Sequence, residues 1–138
     1  MRKTPIRKMK HFKLRKDLKL DGFYITLYRI EAIKAGPWGP VGTLGGWIEK
    51  ESNLSDDAWV FDNAQVYDNA QVYGNAKVFG NARVCVNAQV YNNAQVSGNA
   101  RVSGYARVSG NAQVYGNAWV SGNARVSGYA RVSGNEPI

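Results

Sequence analysis

The hydrophobic positions of the chain follow one strict period over its C-terminal part. From Ala58 alanine recurs at every sixth residue to Ala130, and from Val60 valine does so to Val132, which makes thirteen six-residue repeats. Alanine and valine stand two apart, so in an extended strand both side chains point to one side and the residue between them points away. A Gly-Asn or Asp-Asn pair usually precedes the alanine, and such pairs favour corners with positive φ. The pattern predicts short strands joined by corners, repeated as a coil.

The residues before the repeat have no such period. Apolar residues from Phe12 to Leu20 alternate loosely with charge, Asp21-Gly22 supplies a turn, and F-Y-I-T-L-Y-R-I is typical of a second strand. The run A-G-P-W-G-P-V-G-T-L-G-G then predicts a loop. The expected division is a basic arm over 1–20, a small β-hairpin unit with its Gly/Pro loop over 21–55, the repeat over 56–135 and a C-terminal end over 136–138.

An aliphatic residue followed four positions later by a small one, every six residues, resembles the hexapeptide repeat of left-handed parallel β-helices. The junction L-G-G-W-I-E-K-E-S-N-L-S, followed by D-D-A-W-V-F, is more specifically similar to the YdcK-like hexapeptide-repeat proteins, which are common in bacterial genomes, prophages and tailed phages. The similarity covers roughly residues 23–135. The G-P-W-G-P stretch and the basic first twenty residues depart from it.

The resemblance implies an all-β chain folded as a left-handed parallel β-helix, a triangular prism with eighteen residues per coil and about four coils. Alanine and valine would fill its narrow interior. Hexapeptide β-helices are usually trimers, so a homo-oligomer is expected, with a trimer favoured. In this register one edge carries a column of corner asparagines, which we expect to form an amide ladder: Asn63, Asn81, Asn99, Asn117 and Asn135.

The outward positions carry the arginines. At eighteen residues per coil, Arg83 and Arg101 stack on one face between Gln65 and Trp119, while Arg107 and Arg125 share a second face and Arg131 ends the third. Arginine ranks with aromatic neighbours suit an anion that bears a stackable group. The alternative is that solvated arginines only prevent the sheets from aggregating.

Aromatic residues follow the valine in the early repeats and form a collar around the three edges. The collar is expected to pack against the N-terminal unit or a neighbouring subunit, and the alternative is a surface on which bases stack. The stacking or interface candidates are Tyr67, Tyr73, Tyr91, Tyr115 and Trp119.

The net charge of +8 comes from the first twenty residues, which hold nine Lys/Arg and one acid. Such an arm indicates a nucleic acid or another polyanion as partner. A solubilising tail is the alternative explanation. The arm candidates are Arg2, Lys3, Arg7, Lys8, Lys10, Lys13, Arg15 and Lys16.

Catalytic chemistry is sparse. The one histidine, His11, lies in the basic arm, where we expect it to be solvated, and Cys85 replaces an outer residue of the repeat. No catalytic residue, metal site or cofactor is predicted, because the repeat offers no His/Cys cluster and no paired acids. No apolar run is long enough to span a membrane, and the single cysteine favours a reducing compartment, so a cytoplasmic protein is expected.

The sequence therefore favours a non-catalytic binding protein that presents Arg/Tyr faces and a basic arm to an anionic partner, which could be a nucleotide, nucleic acid or an acidic host-protein surface. Because the similar proteins are common in prophages and tailed phages, the resemblance suggests a phage- or prophage-borne accessory factor. Inhibition of a host-defence component is one role that this setting suggests. Two alternatives stay open. One is a degenerate acyltransferase-like enzyme, and the other is a structural spacer in a larger assembly.

Overall fold

The N-terminal unit is a three-stranded antiparallel sheet. A computed structural model describes residues 10–22 and 24–134. Strand β1 (Phe12–Asp21) pairs with β2 (Thr26–Ala32), which pairs in turn with β3 (Leu44–Ile48). The turn is closed by the Gly22 N–H, which donates to the Ile25 carbonyl at 2.7 Å. The predicted hairpin is present, and its first strand begins inside the basic arm.

The repeat forms thirteen strands of two residues, each built from the residue before valine and the valine itself. A short 3-10 helix, Glu51–Asn53, precedes them. The strands are β4 (Trp59–Val60), β5 (Gln65–Val66), β6 (Gln71–Val72), β7 (Lys77–Val78), β8 (Arg83–Val84), β9 (Gln89–Val90), β10 (Gln95–Val96), β11 (Arg101–Val102), β12 (Arg107–Val108), β13 (Gln113–Val114), β14 (Trp119–Val120), β15 (Arg125–Val126) and β16 (Arg131–Val132).

Each strand pairs in parallel with the strand three repeats later. Val60 lies beside Val78 and Val66 beside Val84, so the register is eighteen residues per turn. Three parallel sheets result, in the orders β3-β5-β8-β11-β14, β4-β7-β10-β13-β16 and β6-β9-β12-β15. The predicted all-β parallel solenoid and its register are confirmed, and the left-handed coil stays a prediction from the resemblance.

The stack begins before the first six-residue repeat. Ile48 of β3 pairs with Val66, and Leu54 bridges to Val72, both at the same offset of eighteen residues. The solenoid therefore has about five turns, one more than the repeat count suggests. The two glycines of the L-G-G-W motif permit this entry: a Cβ on Gly46 would lie 2.6 Å from Val60 Cγ1 and 2.7 Å from the Ala64 carbonyl oxygen.

The interior consists of the predicted alanine and valine columns. Every repeat alanine from Ala58 to Ala118 and every repeat valine from Val60 to Val120 has 0% exposure. Inter-coil backbone hydrogen bonds of about 3 Å, such as Gln65 N–H to the Ala82 carbonyl at 2.9 Å, run along the stack. In the last turn Ala124 and Val132 are only partly buried, because no further coil in the described part of the chain covers them.

The corners differ from the predicted asparagine ladder. Positive φ falls on the first residue of each corner pair and not on the ladder asparagine that follows it, as at Gly80 (φ 70) and Asp62 (φ 58). The side-chain amides form one hydrogen bond among the described ladder residues, from Asn99 Nδ2 to Asn117 Oδ1 at 3.4 Å, and Asn135 lies outside them. Asparagine is short, and successive coils stand about 4.8 Å apart, so its amides reach one another only weakly.

The N-terminal unit closes the first coil with side chains. The carbonyls at this end lack an earlier coil to donate to them, and polar groups take that place. Lys10 Nζ donates to the Leu54 carbonyl at 2.9 Å, His11 Nε2 to the Ala58 carbonyl at 2.7 Å, and Asn53 Nδ2 to the Ala70 carbonyl at 2.8 Å. Residues 10–53 therefore act as a cap on one end of the solenoid.

His11 is buried, so the expectation of a solvated histidine is wrong. Its ring packs on Trp38 with centroids 4.8 Å apart and on Trp59 at 5.6 Å. Trp38 from the G-P-W-G-P loop also stacks on Trp59 at 5.0 Å, which buries an otherwise outward-facing repeat residue. Because a carbonyl only accepts hydrogen bonds, Nε2 carries the proton.

Candidate anion-binding groove

The outward residues of one parallel sheet form a single column along the solenoid axis. Trp47 of β3 pairs with Gln65, Gln65 with Arg83, Arg83 with Arg101, and Arg101 with Trp119. The predicted order of these residues on one face is confirmed. The column places two adjacent guanidinium groups between an amide on one side and an indole on the other.

This column is one wall of an open groove of about 590 Å³. The opposite wall is the column of corner asparagines, whose amides stay exposed because the ladder is incomplete. The lining residues are Asn63, Gln65, Asn81, Arg83, Asn99, Arg101, Asn117, Ala118 and Trp119. The groove is thus polar along its length, with one large aromatic surface at its C-terminal end.

The charge of the groove is positive. Its lining has two guanidinium groups and no carboxylate, and within the described residues neither Arg83 nor Arg101 forms an ion pair. Both arginines are exposed because they occupy the position between alanine and valine, which faces outward in every repeat. An anion in this groove meets two donors with no competing acid in the lining.

Arg29 of β2 adds a third positive charge at the N-terminal end of the groove, and no sequence pattern indicated this position. Its Nη1 donates to the Gly45 carbonyl at 2.7 Å and to the Asp62 carbonyl at 2.9 Å, and its Nη2 approaches Asn63 Oδ1 at 3.4 Å. The guanidinium lies 4.5 Å from the centre of the Trp47 ring. These acceptors are neutral, so the positive charge of Arg29 stays available to the N-terminal end of the groove.

Trp119 is the exposed aromatic of the groove, with half of its surface accessible. Its Nε1 lies 3.4 Å from Ser103 Oγ, which is a weak hydrogen bond toward the neighbouring corner column. Trp59 occupies the same position in its own repeat and is buried by the N-terminal cap. Trp119 has no such cover among the described residues, so its ring can receive a planar ligand.

The remaining predicted arginines lie on other faces. Arg107 pairs with Gln89 and Arg125 on the second sheet, and Arg131 pairs with Gln113 on the third. Their register is as predicted. The five candidate arginines therefore do not form one site, and the groove brings together only Arg83 and Arg101.

The collar tyrosines mainly pack against residues of the next coil at the same edge of the solenoid. Tyr73 and Tyr91 stack with centroids 5.0 Å apart and 4° between planes, and Tyr73 Oη donates to Gln89 Oε1 at 3.2 Å. Tyr67 is half-buried beside Cys85, and burial raises the pKa of its phenol to about 12. Burial also raises the pKa of the Cys85 thiol. Of the predicted stacking residues, Tyr115 and Trp119 are the exposed ones.

Two exposed tyrosines of the repeat were not predicted as interface residues. Tyr105 and Tyr129 have 65% and 83% of their surfaces accessible. They replace the corner asparagine in the two G-Y-A-R-V repeats, and that substitution is the signal from which they could have been found.

The described part of the basic arm is engaged in internal contacts. Arg15 forms ion pairs with Asp17 at 2.6 Å and Glu31 at 2.7 Å, and Lys13 approaches Glu31 at 3.7 Å. Lys16 lies 4.4 Å from the centre of the Tyr28 ring. The arm candidates Arg2, Lys3, Arg7 and Lys8 lie outside the described residues.

The groove holds no group that exchanges protons near neutral pH, because its lining is arginine, amide, indole and alanine. Among residues 10–22 and 24–134, no group of three His, Cys, Asp or Glu side chains is placed to hold a metal ion. In the same part of the chain no helix is both long and apolar enough to cross a bilayer.

Comparison with known proteins identifies the repeat. A profile described as the YdcK beta solenoid repeat matches residues 70–86, 94–110, 112–123 and 118–134. No curated protein sequence matches the chain significantly. The match, the eighteen-residue register and the three parallel sheets agree, and residues 70–134 form β-solenoid repeats of the YdcK type.

Proposed function

We propose that the protein is a non-catalytic binding protein whose groove between β5 and β14 takes a multiply charged anion. The observation that carries the proposal is the adjacent pair Arg83 and Arg101, stacked in register in a groove lined without carboxylates. Guanidinium groups bind phosphate and carboxylate oxygens through paired, charge-assisted hydrogen bonds. Two of them on consecutive coils stand about 4.8 Å apart, a spacing that suits neighbouring anionic groups of one ligand.

The alternative acyltransferase-like enzyme has less support from the same groove. Acid–base catalysis needs a group that takes up or releases a proton near the working pH, and the groove lining offers none. The histidine available for such a role, His11, is buried in the N-terminal cap and bonded to the Ala58 carbonyl. A spacer role does not explain why two adjacent arginines line the groove.

The test is a calorimetric titration with inorganic tripolyphosphate at low ionic strength. The wild-type protein is expected to bind it, and affinity should fall as salt rises because the interaction is between charges. Replacing both groove arginines, Arg83→Gln with Arg101→Gln, should weaken binding at least about a hundredfold, since each charge-assisted hydrogen bond contributes roughly 1.5–3 kcal/mol.

The matched control is Arg107→Gln with Arg125→Gln. These residues have the same type, the same spacing and the same exposure on the neighbouring sheet, but they do not line the groove. The control is expected to keep most of the affinity. Equal losses in the two double variants would replace a defined site by a general effect of surface charge, and no binding by the wild-type protein would reject the proposal.

We also propose a setting for this activity. The resemblance to proteins common in prophages and tailed phages supports a phage- or prophage-borne accessory factor in the host cytoplasm, where sequestering an anionic component of host defence is a suitable role.

Exposed Tyr105, Tyr115 and Tyr129 support self-association, with a trimer favoured by the fold type. Light scattering after size-exclusion chromatography measures the oligomeric state, and a monomer at all concentrations would reject the trimer.

A further inference from the structure

The groove is chemically directional along the solenoid axis. From its C-terminal to its N-terminal end the column runs indole, guanidinium, guanidinium, amide, as Trp119, Arg101, Arg83 and Gln65. Arg29 adds a further charge at the N-terminal end through its contact with Asn63. One end thus offers an aromatic plane and the other a row of positive charges.

We infer that the ligand is a nucleoside polyphosphate, with its base on Trp119 and its phosphates on Arg101, Arg83 and the end near Arg29. The inference rests on the proposed anion site and extends it to a ligand class and an orientation. An inorganic polyphosphate would use the arginines and leave the indole without a partner. A nucleotide uses every element of the column.

The dimensions of the column match this ligand. Trp119 and Arg83 are two coils apart, which is about 10 Å along the axis. That span is comparable to the distance between the base and the second phosphate of an extended nucleotide. The groove volume of about 590 Å³ lies within the range of small-molecule sites.

The groove also has groups for the polar edges of a base. The Asn117 amide lies on the wall beside Trp119, and its oxygen accepts from Asn99 Nδ2 at 3.4 Å, so its own NH₂ group is the donor left for a ligand. Amide side chains pair with the donor and acceptor edges of bases. A base stacked on the indole therefore has an amide donor on the neighbouring wall of the groove.

The test compares three probes: ATP, inorganic tripolyphosphate and adenosine, titrated without divalent cations. ATP is expected to bind about five- to 150-fold more tightly than tripolyphosphate, since stacking of one base on an aromatic side chain is worth roughly 1–3 kcal/mol. Adenosine should bind most weakly. Trp119→Ala should reduce ATP affinity to that of tripolyphosphate and leave tripolyphosphate unchanged, while Trp119→Phe should keep most of the preference.

Fluorescence gives a second readout. Trp38 and Trp59 are buried and Trp47 lies under Arg29, so Trp119 is the tryptophan a ligand can reach within the described residues. ATP should change the emission of the wild-type protein, and the change should disappear in Trp119→Phe. Folding of each variant is checked by its thermal unfolding.

The outcomes distinguish a failure of the nucleotide inference from a failure of the proposed anion site. If ATP and tripolyphosphate bind equally, or if Trp119→Ala weakens both by the same factor, the base is not on Trp119 and only the anion site stands. If neither binds, the anion site fails as well. Tripolyphosphate binding that depends on Arg83 and Arg101 but is no weaker than ATP binding therefore overturns the inference alone.

Discussion

The two ends of the solenoid share one backbone repeat but differ in the burial of their aromatic side chains and in their charge. At the N-terminal end the aromatic residues Phe12, Trp38 and Trp59 are buried, whereas Tyr105, Trp119 and Tyr129 near the other end are exposed. Residues 44–68 hold six acidic side chains, and residues 86–134 hold four arginines and no acid. Closing a coil needs buried rings and groups that bond to free carbonyls. Once the coil is closed, the later turns can vary their outward side chains without cost to the core.

The largest expected effect comes from removing one tryptophan at each end. Trp38→Ala takes a buried ring from between His11 and Trp59 and should lower the free energy of unfolding by about 3–5 kcal/mol. Trp119→Ala removes a half-exposed ring and should cost less than about 1 kcal/mol. Urea denaturation followed by circular dichroism measures both. Similar losses in the two variants would contradict the contrast between a buried structural end and an exposed end that leaves the core intact.

A smaller effect is expected from pH, and only at the capped end. Burial lowers the pKa of His11 below its ordinary value of 6.5. The unfolded chain therefore binds a proton that the folded chain does not, so stability is complete above about pH 6.5 and falls as the pH decreases toward the folded-state pKa. The slope attributable to one histidine is at most about 1.4 kcal/mol per pH unit.

The variant that isolates this effect is His11→Gln, whose amide can still donate to the Ala58 carbonyl. Its free energy of unfolding should change less between pH 7 and pH 5 than that of the wild-type protein. Urea denaturation at a series of pH values measures the difference. Identical pH profiles in the two proteins would show that the histidine is not held neutral.

The smallest effect concerns one corner column. Val86 has φ 63, a conformation that is strained for a β-branched residue, while Gly104 has φ 65 at the same position one coil later. Val86→Gly should stabilise the protein by about 1 kcal/mol. Gly104→Val should destabilise it by more, because a Cβ there would also lie 2.9 Å from the Gly122 amide nitrogen.

The matched comparison in this column is Gly122→Val, where an added Cβ meets no atom within 4 Å. Its cost should be the backbone strain alone and therefore smaller than that of Gly104→Val. Thermal unfolding of the three variants ranks them. Destabilisation by Val86→Gly would show that the valine side chain makes a contact worth more than its strain.

The sequence predicted the structural features that depend on the six-residue period of the repeat. The eighteen-residue register, the buried alanine and valine columns, and the order Gln65, Arg83, Arg101, Trp119 on one face all follow from counting along the chain. Each coil repeats the environment of the last. The position of a residue within its repeat therefore decides which way its side chain points.

What could not be predicted depends on contacts between the N-terminal unit and the first coil. His11 looked solvated among its lysines, yet a carbonyl 47 positions away and two tryptophans bury it. Trp59 occupies an outward position and is buried because Trp38 covers it. Arg29 reaches the groove only because β2 lies in the same sheet as β3 and β5. No pattern within a short stretch of the sequence indicates these contacts between distant residues.

The register of three repeats per turn has a genetic consequence. Gln65, Arg83, Arg101 and Trp119 share a wall because eighteen residues separate each from the next. Unequal recombination that duplicates three repeats would lengthen the groove and keep its faces aligned. Loss of a single repeat between Arg83 and Arg101 would leave a foldable solenoid in which the distal half is out of phase by a third of a turn. Arg101 and Trp119 would then stand on a different face from Arg83. A solenoid built from this repeat can thus change its outward surfaces by mutations that leave the core intact.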